Sequence, residues 1–227
     1  MYGLPVAVID FETTGVDPFK CRAVSMAIVH YSLGRGDSKV VFNETFNPEE
    51  PIPSGASAIH GIYDKDVEGR PTFWESFTRK GGIRDLLAGR VLAAYNLPYD
   101  WQVLNSELQR CRHGSYHRYS WFGICGLVLA RYVDEERKSG HHKLEAVCAR
   151  RDVDLSNAHD AGSDAYATSL VLGTLLRESA IKRGSRFETL RDYWAFQRIH
   201  AIQNEMELRA YFRRVGRTGG SWSWTEN

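Results

Sequence analysis

The order of the secondary-structure patterns constrains the fold of this chain more than any other sequence feature. Three β-type segments come first, at Leu4–Phe11, Ala23–Leu33 and Lys39–Phe46, with turn residues between the second and third. From Phe73 onward helical and strand patterns alternate, and the final part of the chain is helical. This order predicts an α/β domain built around a mixed sheet.

Apolar residues at helical spacing predict the elements of the remaining chain. The expected helices are Phe73–Ala88, Tyr99–Cys111, Gly126–Glu136, Lys143–Arg150, Asp160–Arg183 and Glu188–Val215. The expected short strands between them are Val91–Tyr95 and Tyr119–Ile124.

The composition excludes several classes of protein. The 227 residues include 29 Lys and Arg against 28 Asp and Glu, and 43% are apolar, which excludes a disordered chain and one that coats nucleic acid by bulk charge. No segment reaches the roughly 18–20 apolar residues of a membrane span, and the start lacks the basic region of a signal peptide. The four cysteines form no CxxC pair. We therefore expect a cytoplasmic protein with no membrane association.

An acid pair ends the first strand pattern. Residues i and i+2 of a strand point to the same face, so Asp10 and Glu12 lie side by side. The two charges repel each other unless a cation lies between them, and hard divalent cations prefer oxygen ligands. A strand that runs out into solvent also explains the pair on its own. The following Thr13–Gly15 segment favours the metal site, because a glycine turn lets backbone N–H groups approach a ligand.

Two predicted helix starts carry further chemistry. Asp100 falls in the first turn of one helix, where the helix dipole alone favours an acid, and by itself it is interpreted as a helix-start residue. His159 and Asp164 flank small residues at another helix start, where each is separately explained as a capping or first-turn residue. Together with the strand acids, however, these side chains can converge at one end of the sheet.

The combined set predicts a metal centre. Four carboxylates and one histidine would hold two divalent ions about 3.5–4 Å apart, the arrangement used for phosphodiester cleavage. Histidine has an unperturbed pKa of about 6.5 and is suited to take a proton from water at neutral pH, which makes His159 the candidate base. The ions also offset phosphate charge, so a nearly neutral chain remains compatible with a nucleic-acid enzyme.

These residues carry a resemblance to a known family. Four segments resemble the motifs of the DEDDh exonucleases, which include the proofreading epsilon subunit of bacterial DNA polymerase III: DFETTG (Asp10–Gly15), AIHGI (Ala58–Ile62), NLPYD (Asn96–Asp100) and HDAGSDA (His159–Ala165). The match runs from Leu4 to Leu176 with the motifs in the family's order. It implies a ribonuclease H-like fold with a mixed, largely five-stranded sheet. It also implies metal-dependent 3′→5′ exonuclease activity that releases nucleoside 5′-monophosphates.

The resemblance also implies roles for individual residues. By position, the ligands of two Mg²⁺ or Mn²⁺ ions are Asp10, Glu12, Asp100 and Asp164, with His159 as the general base. The positions implied to contact the terminal nucleotide are Thr13, Gly15 and His60. We expect residues 1–183 to form the exonuclease domain. Residues 184–227 are expected to form a C-terminal helical extension and flexible tail packed on it.

The substrate and the partner follow from the subfamily. Threonines after the Asp-x-Glu pair are more typical of DNA-directed, epsilon-like members than of oligoribonuclease, so the expected substrate is a single-stranded DNA 3′ end in proofreading or repair. The alternatives are an exoribonuclease that trims RNA or short oligoribonucleotides, and a polymerase-associated binding subunit. The expected partner is a DNA polymerase in a bacterial or phage-infected cell. Trp222 and Trp224 in the tail are interpreted as a short docking peptide.

Overall fold

The computed structural model describes residues 3–111, 123–136, 138–155 and 157–214, so Trp222 and Trp224 lie outside the described residues. The strands are β1 (Pro5–Thr13), β2 (Ala23–Ser32), β3 (Ser38–Thr45), β4 (Val91–Ala94) and β5 (Ile124–Cys125). The first helices are α1 (Ser54–His60), α2 (Asp64–Val67), α3 (Phe73–Thr78), α4 (Ile83–Leu87) and α5 (Leu97–Arg110). The later helices are α6 (Gly126–Val133), α7 (Leu144–Ala149), α8 (Ala161–Arg183) and α9 (Leu190–Arg214).

The strands form one mixed sheet in the order β3-β2-β1-β4-β5. β1 pairs antiparallel with β2, and β2 pairs antiparallel with β3. On its other side β1 pairs parallel with β4, which pairs parallel with β5. The mixed five-stranded sheet predicted from the sequence is therefore confirmed, with the acid-bearing strand at its centre.

Helices cover both faces of the sheet, which explains the unbroken apolar run in β1. Ile9 belongs to the cluster on the face of α3, α4 and α5. Val8 belongs to the cluster on the face of α6, α7 and α8. Successive residues of a strand point to opposite faces, so a strand covered on both sides is apolar at every position.

Helix α9 closes the edge of the sheet at β5. Tyr193 and Phe196 belong to the same core cluster as the α8 side chains. The Cys125 backbone N–H donates to Gln197 Oε1 at 2.8 Å, and Gln197 Nε2 donates to the Gly123 carbonyl oxygen at 3.2 Å. The buried glutamine thus pairs with backbone groups that an edge strand leaves open.

Two predicted elements differ in the structure. The single helix predicted over Phe73–Ala88 is wrong, because the chain breaks there into α3 and α4. Gly81 has a φ of 72°, outside the helical region. A Cβ at Gly82 would lie 2.2 Å from the Ser76 carbonyl oxygen, so the chain turns back on α3 at this glycine. For the strand predicted over Tyr119–Ile124, residues 119–122 lie outside the described residues.

None of the helices in the described part of the chain is both long and apolar enough to cross a membrane.

Candidate active site

The central strand positions the acid pair where its parallel neighbour has ended. β4 pairs with β1 only at Val6 to Val8, two residues before Asp10. Beyond that point the chain turns from β4 into α5, and the Phe11 backbone N–H donates to Asp100 Oδ1 at 3.2 Å. Asp100 therefore completes the hydrogen bonding of β1 next to the strand acids.

Asp100 lies in the first turn of α5, as predicted. The helix dipole explains an acid at this position but does not explain why its side chain is buried. Its side chain is 4% exposed, whereas a helix-start acid without further function normally faces water. Burial raises its pKa to about 8 against the lowering effect of the Phe11 N–H, and the charge of Asp164 adds to the rise. The interpretation of Asp100 as a helix-start residue alone is therefore incomplete.

The start of α8 supplies a second pair of side chains, His159 and Asp164. Asp160 is the N-cap residue and accepts from the Ser163 backbone N–H at 2.9 Å. Asp164, in the first turn, accepts from the His159 backbone N–H at 3.2 Å through Oδ2. His159 has a φ of 66°, so the backbone folds back over the helix start in a left-handed conformation that few L-residues adopt. The tight turn brings the imidazole and the Asp164 carboxylate to the same place.

The strand acids and the helix-start pair form one cluster. One ligand atom from each of Glu12, His159 and Asp164 lies within 4.8 Å of the other two. Burial raises the pKa of Glu12 to about 8 and of Asp164 to about 6. It raises the pKa of Asp10 well above its ordinary value, and neighbouring carboxylates add to the rise. The ionised acids repel one another, so the cluster disfavours its own charged form.

A divalent cation fits this donor set. The carboxylate oxygens are hard ligands, and a cation among them would offset the burial and the mutual repulsion that raise their pKa. Asp164 Oδ1 is buried and has no hydrogen-bond partner among the described residues. A buried unpaired carboxylate oxygen is costly unless a ligand or ion completes it.

The positions expected to contact a terminal nucleotide adjoin the cluster. Thr13 Oγ1 donates to the Gly15 carbonyl oxygen at 2.7 Å in the turn after β1. His60 Nδ1 accepts from the Ile62 backbone N–H at 3.1 Å. His60 Nε2 is buried without a hydrogen-bond partner among the described residues. His60 lines one groove with Glu12 and His159, so the structure brings it to the acids.

Sequence reasoning missed two residues beside the site. Tyr99 brings its hydroxyl to within 2.6 Å of Thr13 Oγ1, and its position directly before Asp100 in the NLPYD motif was a usable signal. Glu145 of α7 places Oε1 3.8 Å from His159 Nε2. No sequence pattern connects Glu145 with the motifs, because α7 reaches the site only through the tertiary fold.

The sequence matches an exonuclease family model and is similar to DNA polymerase III proteins. Residues 7–172 match the family model RNase_T, described as exonuclease. The DNA polymerase III subunit epsilon of Rickettsia conorii is 30% identical over 191 residues, which cover 80% of this chain and 79% of that protein. The PolC-type DNA polymerase III of Halalkalibacterium halodurans is 26% identical over 172 residues, which cover 76% of this chain. The match spans only 11% of that PolC-type relative.

Solved structures share the fold. Escherichia coli exonuclease I in complex with a dA16 oligonucleotide superposes with a TM-score of 0.64 at 20% identity, covering 84% of this chain and 42% of that one. Exonuclease X in complex with 5′ overhanging duplex DNA gives a TM-score of 0.59 at 22% identity, covering 77% and 93%. The ribonuclease H-like fold expected from the motifs is thereby confirmed. Since the family model matches most of the chain, this protein belongs to the RNase_T exonuclease family, as its motifs predicted.

Proposed function

We propose that the protein is a metal-dependent 3′→5′ DNA exonuclease that releases nucleoside 5′-monophosphates in proofreading or repair. The observation that carries the proposal is the convergence of the β1 acids, Asp100, His159 and Asp164 in one partly buried cluster. The 30% identical relative is named as an epsilon subunit, and similar folds have been solved with DNA oligonucleotides bound, which supports DNA as the substrate.

The four carboxylates hold two divalent ions, Mg²⁺ or Mn²⁺. When bound, the ions neutralise phosphate charge and acidify the attacking water. Asp10 and Glu12 present their oxygens from the rigid centre of the sheet. Asp100 and Asp164 present theirs from the first turns of α5 and α8. Because four separate backbone positions are locked by the core, the ligands are preorganised rather than gathered by the substrate.

His159 accepts the proton of the attacking water. Its side chain is 51% exposed, so the ring can reach water and return the proton to solvent. Glu145 Oε1, 3.8 Å from His159 Nε2, attracts the positive charge that the ring acquires on protonation. The backbone N–H of His159 is engaged with Asp164, which fixes the residue beside the carboxylates.

The terminal nucleotide binds beside the turn after β1. Thr13 and Gly15 present this turn to the sugar end, and His60 offers a ring nitrogen that lacks a partner among the described residues. The 3′→5′ direction rests on the resemblance of these motifs to the DEDDh pattern. A 3′-terminal nucleotide at this turn sets the adjoining phosphodiester against the acids.

The test is hydrolysis of a single-stranded DNA oligonucleotide labelled at its 5′ end, in the presence of Mg²⁺. The wild-type protein is expected to shorten the labelled strand stepwise and to release mononucleotides, whereas Asp10→Asn and His159→Ala remain folded and slow the release by roughly 10²-fold or more. Asp37→Asn, an exposed acid in the β2–β3 turn, is the matched control and retains activity. Degradation by Asp10→Asn or His159→Ala at the wild-type rate contradicts the site assignment.

The same assay separates DNA from RNA as the substrate. A matched RNA oligonucleotide is processed at a comparable rate only if the site tolerates the 2′-hydroxyl. Preference for RNA replaces the DNA proposal by the exoribonuclease alternative.

In this proposal residues 1–183 form the exonuclease domain, and the extension over residues 184–227 binds a DNA polymerase. The name of the Rickettsia relative, a polymerase III subunit, supports that partner. Deleting residues from Arg217 onward is expected to weaken association with the polymerase and to leave hydrolysis intact. Unchanged association after the deletion contradicts a role for the tail.

A further inference from the structure

An open groove leads away from the acid cluster across β2 and β3. Glu12 pairs with Ser25 of β2, and Ser25 pairs with Thr45 of β3, so these three groove residues form one row across the sheet. Adjacent strands lie about 4.8 Å apart, which makes the row roughly 10 Å long. The row therefore connects the catalytic end of β1 with the outer edge of the sheet.

An arginine lines this groove close to the end of β3. Arg70 lines it beside Pro71, whose carbonyl oxygen accepts from the Asn47 backbone N–H at 3.0 Å. That hydrogen bond fixes the segment before α3 against the end of β3. Arg70 is exposed, and its Nε donates to the Asp66 carbonyl oxygen at 3.4 Å. Within the described chain no carboxylate forms an ion pair with its guanidinium.

The other charged groups of the groove outside the catalytic cluster are already engaged. Arg79 forms an ion pair with Glu44 and lies 5.7 Å from the centre of the Phe42 ring. Asp160 accepts from the backbone N–H and the hydroxyl of Ser163. Among the described lining residues, the positive charge of Arg70 is thus left unneutralised.

We propose that this groove binds the sugar-phosphate backbone of the nucleic-acid strand that leads to the scissile bond, with Arg70 as its phosphate contact. The inference rests on the proposed exonuclease function and specifies where the strand runs. A guanidinium donates two parallel hydrogen bonds to phosphate oxygens, and such contacts set the position of a strand without reading its bases. Ser25, Asn43 and Thr45 add neutral hydrogen-bonding groups to the lining of the same groove.

The first measurement is strand binding by Arg70→Ala. The probe is a 5′-fluorescein-labelled ten-nucleotide oligo(dT), followed by fluorescence anisotropy in Mg²⁺ on proteins that also carry His159→Ala, so that the strand stays intact. Arg70→Ala is expected to weaken binding about tenfold, the size of one lost charged hydrogen-bonded contact. The slope of log affinity against log salt concentration is expected to fall by about 0.7, as for one lost single-strand phosphate contact.

The matched control is Arg177→Ala. Arg177 lies on the same helix as Asp164 but thirteen residues further along, roughly 20 Å away, and does not line the groove. The Arg177→Ala substitution removes one positive charge, as Arg70→Ala does, and the variant is expected to bind oligo(dT) as tightly as the protein that carries His159→Ala alone. Equal weakening by the two substitutions indicates bulk charge and overturns the groove proposal, as does unchanged binding by Arg70→Ala.

The second measurement separates strand binding from catalysis, with His159 intact. The p-nitrophenyl ester of thymidine 5′-monophosphate reaches the catalytic centre but has no strand to fill the groove. Arg70→Ala is expected to lower kcat/KM for oligo(dT) about tenfold relative to kcat/KM for the ester. Equal losses on both substrates overturn the proposal. If the wild-type protein hydrolyses neither substrate, the exonuclease function fails, and the binding measurement still decides the groove.

Discussion

The hydroxyls of Thr13 and Tyr99 lie 2.6 Å apart, and both reach the Gly15 carbonyl oxygen, at 2.7 Å and 2.9 Å. Thr13 ends the strand that carries Glu12, and Tyr99 precedes Asp100 on α5. The three oxygens thus tie the turn after β1 to the helix that supplies a third carboxylate. We therefore assign Tyr99 the role of positioning this turn beside Asp100.

Removing the Tyr99 hydroxyl is expected to impair catalysis more than folding. Tyr99→Phe keeps the ring but loses the hydrogen bond to the Gly15 carbonyl oxygen and the contact with the Thr13 hydroxyl, together worth about 1–2 kcal/mol. We expect kcat/KM for DNA hydrolysis to fall roughly fivefold to twentyfold, while circular dichroism stays unchanged. Thr13→Val is expected to have less than its full effect in the Tyr99→Phe background, because both changes break the same contact.

The control for this prediction is Tyr31→Phe. Tyr31 is buried on β2, and its hydroxyl bonds to the Gly34 backbone. It pairs near the start of β1, at the opposite end of the strand from Glu12. Tyr31→Phe is expected to lower stability without changing kcat/KM. Equal losses of activity in Tyr31→Phe and Tyr99→Phe contradict the positioning role.

The acid cluster is expected to make the metal-free protein less stable as the pH rises. Burial holds the pKa of Glu12 and Asp100 at about 8 and that of Asp164 at about 6, all above the values of the unfolded chain. The folded state therefore binds more protons than the unfolded state between pH 4 and pH 8. By linkage, the free energy of unfolding contributed by these groups falls as the pH increases through that range.

Thermal melts between pH 5 and pH 8.5 in EDTA and in Mg²⁺ test this expectation. In EDTA the melting temperature is expected to fall as the pH rises. The increase in melting temperature caused by Mg²⁺ is expected to become larger as the pH rises, because the ions bind the ionised acids. Asp10→Asn is expected to weaken both trends. A Mg²⁺ effect that is independent of pH, or equal in Asp10→Asn, contradicts the cluster as the metal site.

The left-handed backbone at His159 predicts a difference between two inactive variants. His159→Ala keeps a Cβ at a φ of 66°, whereas His159→Gly removes the steric cost of this conformation, about 1 kcal/mol. We expect the glycine variant to melt about 2–4 °C above the alanine variant. Both are expected to lose roughly 10²- to 10⁴-fold in kcat because the proton acceptor is missing. A higher melting temperature for the alanine variant contradicts the strained backbone.

Buried Glu107 is expected to be essential for stability. Its side chain is 1% exposed and accepts from Arg22 Nε and Arg110 Nη1 at 3.1 Å and from the Ala23 backbone N–H at 2.9 Å. Glu107→Ala leaves these donors without their acceptor, so we expect a loss of roughly 3–5 kcal/mol in urea unfolding. Lys20→Ala breaks a surface ion pair and is expected to cost less than about 1 kcal/mol. A loss near 1 kcal/mol for Glu107→Ala contradicts the importance of the buried group.

The local parts of the fold and site were predictable from the chain because they depend on near neighbours. The apolar run of β1 and the two-residue spacing of Asp10 and Glu12 determine which side chains share a face. Asp160 and Asp164 mark the start of α8 through the capping and dipole preferences of a first turn. The break between α3 and α4 was missed, although Gly81 and Gly82 were visible, because helical periodicity continues on both sides of it.

The tertiary structure decided what distant elements do to one another. Asp100 is a buried carboxylate at the point where β4 has ended, and there it accepts a hydrogen bond from the Phe11 backbone N–H of β1. Glu145 reaches His159, and Arg70 reaches the groove, through the packing of α7 and of the segment before α3. Sequence patterns encode the faces of single strands and helices, whereas desolvation and cross-element distance arise only when those faces pack. The sequence by itself therefore determined the fold class and the family and supplied the candidate acids, and packing decided the burial of these acids, their repulsion and the lining of the groove.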